Sequence, residues 1–249
     1  MITSVQNNRV KQWKKLHTRK ERMNTNTFLI EGDHLLEEAL RSGWKIKEVI
    51  LEEGENDLQL ETNNLQTTIV SKTVFRHLSQ TQSPQGIMAV VYMKESLNIK
   101  GEQILIVDRV QDPGNLGTMI RTADAAGFSG IILGEGTVDL YNDKVIRATQ
   151  GSIFHLPIIQ ANLVDEINQL KQNGFTILAT ALEDAVRYDQ ICIQERTAIV
   201  VGNEGAGIQE KILNQADHIV SIPIYGQAES LNVSIAAAIL MYHVKSKKT

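Results

Sequence analysis

The sequence predicts an α/β protein: a parallel sheet in the C-terminal part, preceded by a smaller α/β unit. Three observations carry this. From residue 104 onward, short apolar strands alternate with helical segments, as in a parallel sheet covered on both faces. Upstream, a shorter run of strands and helices ends in a polar stretch near 94–102 that reads as a linker. The length, 249 residues and 27.7 kDa, exceeds the usual single domain and allows one large α/β domain or two smaller ones.

Element by element, 28–40 (FLIEGDHLLEEAL) reads as a strand running into a helix, with Leu35, Leu36, Ala39 and Leu40 at helical spacing. Residues 47–51 and 67–70 are short β-branched strands, 72–79 a helix and 86–92 another strand. The expected domains are therefore 1–95 and 102–249. In the second, strands are predicted at 104–108, 130–134, 154–159, 175–180, 197–202 and 218–222. Ligands of such sheets sit beyond the carboxyl ends of the strands, so the loops that follow strands carry the functional information.

Composition narrows the class. With 42% hydrophobic and 22% charged residues the chain is an ordinary globular protein, not a disordered, collagenous or coiled-coil one. No apolar run approaches the roughly 20 residues that span a bilayer, and the first twenty residues lack the apolar core of a signal peptide, so a cytoplasmic protein without membrane attachment is expected. Cys192 is the only cysteine, which excludes an intrachain disulfide or a multi-cysteine zinc site; it reads as a small buried hydrophobe, and no metal or redox chemistry is expected.

Net charge is −4, but residues 1–100 carry +2 and residues 101–249 carry −6. The first 22 residues hold Arg9, Lys11, Lys14, Lys15, Arg19, Lys20 and Arg22 against Glu21 alone, with Trp13 and His17 among them. Such a segment suits a phosphate backbone and a stacked base; a solvated helix face is the equally open alternative.

Three loops stand out. In the first, Asp108 to Gly127, Pro113 and Gly114 turn the chain, Asn115 is suited to cap the next helix, and Leu116, Met119, Ile120 and Ala123 form its core face. Arg121 falls on the opposite face, to reach a phosphate or ribose in the cleft or to pair with Asp124. In the second, Val200 to Ile208, Gly202, Gly205 and Gly207 give G-x-x-G-x-G, not the order of a dinucleotide or triphosphate loop. Glu204 there disfavours a pyrophosphate and fits a neutral or cationic ligand; a plain strand-to-helix turn is the alternative. In the third, Ile222 to His243, Ser230 is suited to cap a helix that is apolar nearly all round from Ile235 to Val244, which needs cover on more than one side, from core plus loop or from a partner subunit. Asn232 and Ser234 would face the same cleft.

Together these segments resemble the SpoU (TrmH-like) RNA 2′-O-ribose methyltransferases of the SPOUT superfamily. The first family motif is matched by Asn115 and by Arg121 to Gly127, the second, G-N-E-G-x-G, by Gly202 to Gly207, and the third, S-L-N-V-S-x-A, by Ser230 to Ala236. Arg147 to Pro157 looks like a further family segment, with Thr149 and Ser152 as departures. FLIEG and SPQGIMAVV look like the start and end of a ribosomal-protein-like substrate-binding domain.

The resemblance implies S-adenosyl-L-methionine as cofactor, a deep trefoil knot in the C-terminal domain and a homodimer with both active sites near the interface. It implies cofactor contacts from Gly202, Asn203, Gly205, Ile222, Ile224, Ser230, Leu231 and Val233, and catalytic or positioning roles for Arg121, Asn115, Glu204, Ser230, Asn232 and Asp112. RNA contacts fall to Arg9, Lys11, Lys14, Lys15, Arg19 and Arg147. The family assigns Arg121 as base or as polarising group on the target phosphate; because a guanidinium is very hard to deprotonate, orienting the phosphate and stabilising the forming alkoxide is the better role. The expected substrate is ribosomal RNA, with a transfer RNA methyltransferase or a non-catalytic RNA-binding factor of the same fold as alternatives.

Overall fold

The computed structural model describes residues 1–54, 65–94 and 98–247; part of the expected linker, 95–97, lies outside these. The chain divides into two compact units, Met1–Glu95 with Asp139–Phe154, and Ser96–Val138 with His155–Thr249.

In the first unit the basic segment folds into α1 (Asn8–Lys15) and α2 (Arg19–Thr25), whose N-termini are capped by the Asn7 and Thr18 side chains. There follow β1 (Thr27–Glu31), α3 (Asp33–Arg41), β2 (Ile46–Glu52), β3 (Thr67–Val70), α4 (Lys72–Leu78) and β4 (Ile87–Tyr92). The strands form one sheet in the order β1-β4-β2-β3, with β4 antiparallel to both its neighbours and β3 parallel to β2.

The helix α1 is half core. Val10, Trp13 and Leu16 pack with Val74, Phe75 and Leu78 of α4 and with Ile50, Met88 and Val90 of the sheet. Trp13 is 3% exposed, and its Nε1 donates to Glu48 Oε1 at 2.9 Å. Arg9 donates to Glu48 Oε2 at 2.5 Å and to Thr68 Oγ1 at 2.9 Å, its guanidinium 5.1 Å from the Trp13 ring. A buried carboxylate such as Glu48 needs these donors. The aromatic within the basic run is therefore a core residue and offers no face to a base.

The second unit begins with β5 (Gln103–Val107), α5 (Pro113–Ala125) and β6 (Gly130–Gly134). The chain then returns to the first unit as α6 (Asp143–Thr149), capped by Asn142, and a 3-10 turn at Ser152–Phe154. Aromatic packing holds this return. Tyr141 lies 4.6 Å from Phe28 between ring centres, Phe154 lies 5.2 Å from Trp44, and Trp44 Nε1 donates to the Phe154 carbonyl at 3.0 Å. Arg22, 5% exposed, donates to the Leu16 carbonyl at 2.7 Å and to the Asp139 carboxylate. The strand expected from residue 154 consequently starts later. Phe154 is committed to Trp44, and Pro157, without an N–H, precedes the first residue of the strand.

That strand is β7 (Ile158–Ala161); α7 (Leu163–Gln172), β8 (Thr176–Thr180), β9 (Val186–Arg187), β10 (Thr197–Val201), α8 (Glu210–Leu213), β11 (His218–Ser221) and α9 (Val233–Ser246) complete the second unit. Its seven strands run in the order β7-β6-β5-β10-β8-β11-β9, and every neighbouring pair is parallel. The strands β5, β6 and β10 are buried at every position. Alternate residues Ile104, Ile106, Ile132, Ala198 and Val200 pack with Leu163, Ile167 and Leu170 of α7 and Ile212 of α8. The opposite side chains face α5 and α9, which pack on each other, α9 also touching β10. Lys245 near the end of α9 donates to Gln103 Oε1 and to the Gly127 carbonyl, both at 2.9 Å.

Two further sequence expectations change. Cys192 is exposed, not a buried hydrophobe. On α9, Ser234, Ala237, Leu240, Met241 and Val244 are buried, whereas Ile235 and Tyr242 are 50% and 53% exposed, so the cover expected on the second side of this helix is not supplied by the described residues.

Truncating Trp13 to Ala should cost roughly 3–5 kcal/mol of first-unit stability, since it empties a core site and strips a donor from Glu48. Lys11→Ala and Arg19→Ala, both at exposed positions, should stay within about 0.5 kcal/mol. Urea unfolding followed by far-UV circular dichroism separates the two classes; a Trp13→Ala loss below about 1 kcal/mol would contradict the core assignment.

Candidate active site

The strands β5 and β10 are neighbours, and at this pair the chain reverses the direction in which it adds strands to the sheet. The crevice outside the carboxyl ends of a parallel sheet at such a point is its usual ligand site. Here it is bordered by the loop after β5, the glycine loop after β10, and the segment 222–232 that leads into α9.

One carboxylate ties these segments together. Glu204 Oε1 accepts from the Asp112 N–H at 3.1 Å and from Asn115 Nδ2 at 3.0 Å, and Oε2 accepts from the Gln111 N–H at 3.2 Å. The Asn115 Oδ1 then accepts from Asn232 Nδ2 at 2.9 Å. The chain Glu204–Asn115–Asn232 thus links all three motifs by side-chain hydrogen bonds. Desolvation is the largest single influence on Glu204 and pushes its pKa up, but the donors from Asn115, from its own N–H, and from Asp112 and Gln111 together hold the carboxyl below the ordinary glutamate value.

The caps are not where the sequence suggested. Asp112 is the N-cap of α5, its Oδ1 accepting the Asn115 N–H at 2.8 Å; Asn115 lies inside the first turn, which frees its side chain for Glu204. Likewise Asn232, not Ser230, caps α9, its Oδ1 accepting from the N–H groups of Ser234 at 2.9 Å and Ile235 at 3.4 Å and from Ser234 Oγ at 2.6 Å. A cap must stand directly before the first helical residue, and α9 starts at Val233; Ser230 is two residues too early and is exposed.

The glycine loop is built by close approach. A Cβ on Gly202 would sit 2.4 Å from the Gly207 carbonyl carbon, so only glycine fits there. Asn203 and Gly207 exchange backbone hydrogen bonds at 3.0 Å, and Asn203 Oδ1 accepts from the N–H groups of Gly205 and Ala206. Asn203 Nδ2 donates to the Arg109 carbonyl at 2.9 Å. The far end of the loop is anchored by Asp108, a fully buried carboxylate that accepts from the Gln209 N–H at 2.8 Å and Nε2 at 2.7 Å.

Arg121 is exposed on α5, and its alternative partner Asp124 is taken by His155 Nδ1 at 2.7 Å. Of the cofactor candidates, Gly202 is buried; Asn203, Ile222, Ile224 and Val233 are half-buried; Gly205, Ser230 and Leu231 are exposed. This donor set is backbone, amide and apolar side chain, with the Glu204 carboxylate occupied by its own donors. It suits a ligand whose adenine and ribose take neutral contacts, as S-adenosylmethionine does.

The candidate RNA contacts lie in the first unit and divide in two. Lys11, Lys15 and Arg19 are exposed, whereas Arg9 is held by Glu48, Lys14 donates to the His77 carbonyl at 2.5 Å, and Arg147 pairs with Asp143 at 2.7 Å. The sequence did not single out Arg109 or Gln111. A cation and an amide directly after an apolar strand of a parallel sheet were the available signal. Among the described residues no group of three or more His, Cys, Asp or Glu is placed to hold a metal ion, and no helix is long and apolar enough to cross a membrane.

Residues 102–242 match the SpoU rRNA Methylase family, and residues 7–89 match the MRM3-like substrate binding domain. The chain is 48% identical over 245 residues to the 23S rRNA (guanosine(2553)-2′-O)-methyltransferase RlmP of Bacillus subtilis, covering 98% of each protein. Among solved structures it is similar to the AdoMet-bound rRNA methyltransferase from Sinorhizobium meliloti, with TM-score 0.90 and 34% identity over 98% of this chain and 97% of that one. It is similar also to the SpoU methyltransferase AviRb from Streptomyces viridochromogenes in complex with AdoMet, with TM-score 0.86, 26% identity and 98% of both chains covered.

Removing the central carboxylate as Glu204→Ala strands two backbone donors and the Asn115 amide in a partly solvated site, an expected loss of about 1 kcal/mol in second-unit stability. The depressed pKa fixes the pH dependence. The stabilisation is complete above the ordinary glutamate value and is lost as pH falls through the lower folded value. The wild-type advantage over Glu204→Ala should thus be constant from pH 5 to 8 and shrink below about pH 4.5. Urea titrations of both proteins across that range check it; an advantage that grows on acidification would contradict the hydrogen-bonded carboxylate.

Proposed function

The chain belongs to the SpoU rRNA methylase family, and we propose on that footing that it methylates a guanosine ribose 2′-hydroxyl of 23S ribosomal RNA. It is an RNA ribose-2′-O-methyltransferase, and its methyl donor is S-adenosyl-L-methionine. The observation that carries the reading is the hydrogen-bonded chain from Glu204 through Asn115 to Asn232, which fixes three loops around one crevice.

The cofactor supplies a methyl group on a sulfonium, already activated for in-line transfer. What remains for the protein is geometry and the hydroxyl proton. The cofactor residues are Gly202, Asn203, Gly205, Ile222, Ile224, Ser230, Leu231 and Val233. Asn115 and Asn232, held by Glu204, limit the positions open to the ribose. Arg121 orients the target phosphate and stabilises the alkoxide as it forms, the hydroxyl proton passing to solvent water. Lys11, Lys15 and Arg19 are the outward cations of the first unit and take RNA phosphates, whereas Arg9, Lys14 and Arg147 contribute through the partners that already hold them.

The half-exposed Ile235 and Tyr242 on α9 support a homodimer in which a second copy covers that face. The deep trefoil knot belongs to the same proposal, supported by the return of α9 onto α5 and β10. A cytoplasmic location goes with a ribosomal substrate.

With labelled cofactor and RNA from cells lacking the gene, label should enter 23S rRNA as an alkali-resistant dinucleotide and should vanish with Arg121→Ala. Label confined to transfer RNA, or absent despite cofactor binding, would overturn the substrate assignment. Arg121→Lys should lose most of the rate while the wild-type rate changes little between pH 7 and 9; a rate that follows a single titration and survives in Arg121→Lys would make residue 121 a proton acceptor instead. Light scattering should give twice 27.7 kDa; a monomer at micromolar concentration would refute the dimer.

A further inference from the structure

We propose that Arg109 is an anchor for an RNA phosphate flanking the methylated nucleotide; this rests on the RNA methyltransferase reading above. Arg109 directly follows β5 and adopts φ 58°, a left-handed conformation that glycine or asparagine takes at less cost. Its backbone explains the conformation: its N–H donates to Thr137 Oγ1 at 3.2 Å and its carbonyl accepts Asn203 Nδ2 at 2.9 Å. An arginine is not needed for either bond. The strain is therefore borne by a residue whose side chain has a separate use.

The side chain lies across Gly136 in the loop after β6, where an added Cβ would come within 3.2 Å of Arg109 Cγ. In the sheet, β6 flanks β5 on the side away from β10, so the Cγ and Cδ of this side chain lie against a loop other than the glycine loop. The side chain is 35% exposed. Its Nε stands 3.4 Å from Asp108 Oδ1 without forming a hydrogen bond, and among the described residues the guanidinium donates to no acceptor. Both Asp108 oxygens are already used by Gln209. A partly desolvated planar cation with its donors unspent, at the rim of the crevice, matches the bidentate geometry of a phosphodiester.

The ordinary alternative is that Arg109 only balances the buried charge of Asp108, and the two readings separate cleanly. Arg109→Asn keeps a residue that tolerates the left-handed conformation, and Arg109→Lys keeps the charge near Asp108 but loses the planar fork. The probe is an in vitro transcript of the 23S rRNA segment around the guanosine named for the Bacillus subtilis relative, used in methyl-transfer kinetics and in filter binding over a range of KCl. For Arg109→Asn we expect a roughly tenfold rise in KM for the transcript and kcat within about twofold. The KM for S-adenosylmethionine and the thermal midpoint should be unchanged, and the salt slope of binding should fall by about one. Arg109→Lys should retain the salt slope and lose part of the affinity. An unchanged transcript KM and salt slope in both variants overturns the proposal, and a lowered thermal midpoint in Arg109→Asn would then assign the residue to Asp108. A raised KM for the cofactor alone overturns it in favour of a cofactor carboxylate contact. If wild-type protein binds the transcript without methylating it, the functional reading fails while the salt slope still tests Arg109.

Discussion

The arrangement of the catalytic unit depends on the Glu204 carboxylate. A carboxylate in a loop of this kind must find donors or remain in water, and here it finds them in Gln111, Asp112 and Asn115, with its own N–H and Asn203 Nδ2 beside them. Satisfying it draws the glycine loop onto the start of α5, and the amide of Asn115 passes the constraint on to Asn232 and so to the start of α9. Without that acceptor, two backbone N–H groups would be left to solvent, and the glycine loop would keep only the Asn203 bond to the Arg109 carbonyl on this side.

The parallel sheet makes that constraint useful. Because β5 and β10 are neighbours buried on both faces, the loops that leave them begin from fixed points, and Asp108 and Gly202 adjust them locally by hydrogen bonding and close approach. A reaction whose electrophile is already activated gains most from such fixing, since holding two reactants in line removes entropy that would otherwise have to be lost at the transition state. Lys245, bound to Gln103 and Gly127, fastens the far end of α9 to the start of β5 and to the turn after α5.

In the first unit the basic segment serves two purposes at once. Arg9 and Trp13 are consumed by Glu48, and Arg22 by Leu16 and Asp139, while Lys11, Lys15 and Arg19 remain in solvent. The segment 139–154 belongs to this unit through Tyr141, Phe154 and Asp139, although in sequence it lies between two strands of the other sheet. A buried arginine is tolerated only with its partner, so the unit's stability includes residues far along the chain.

By itself the sequence determined the α/β class and the strands near 104–108, 130–134 and 197–202, because apolar runs are local properties, while Asn115, Glu204 and Asn232 stood out together with Arg121 and Ser230 through the family motifs. Only the tertiary structure decided which oxygen caps which helix. Asp112 and Asn115 are both chemically able to cap α5, as Ser230 and Asn232 are for α9, and the choice falls to where each first helical turn begins. It alone decided that Trp13 is core, since a basic amphipathic segment gives no sign of what will cover its apolar side. It alone placed Arg109 in a left-handed conformation, a consequence of acceptors and donors at residues 137 and 203, which periodicity along the chain does not report.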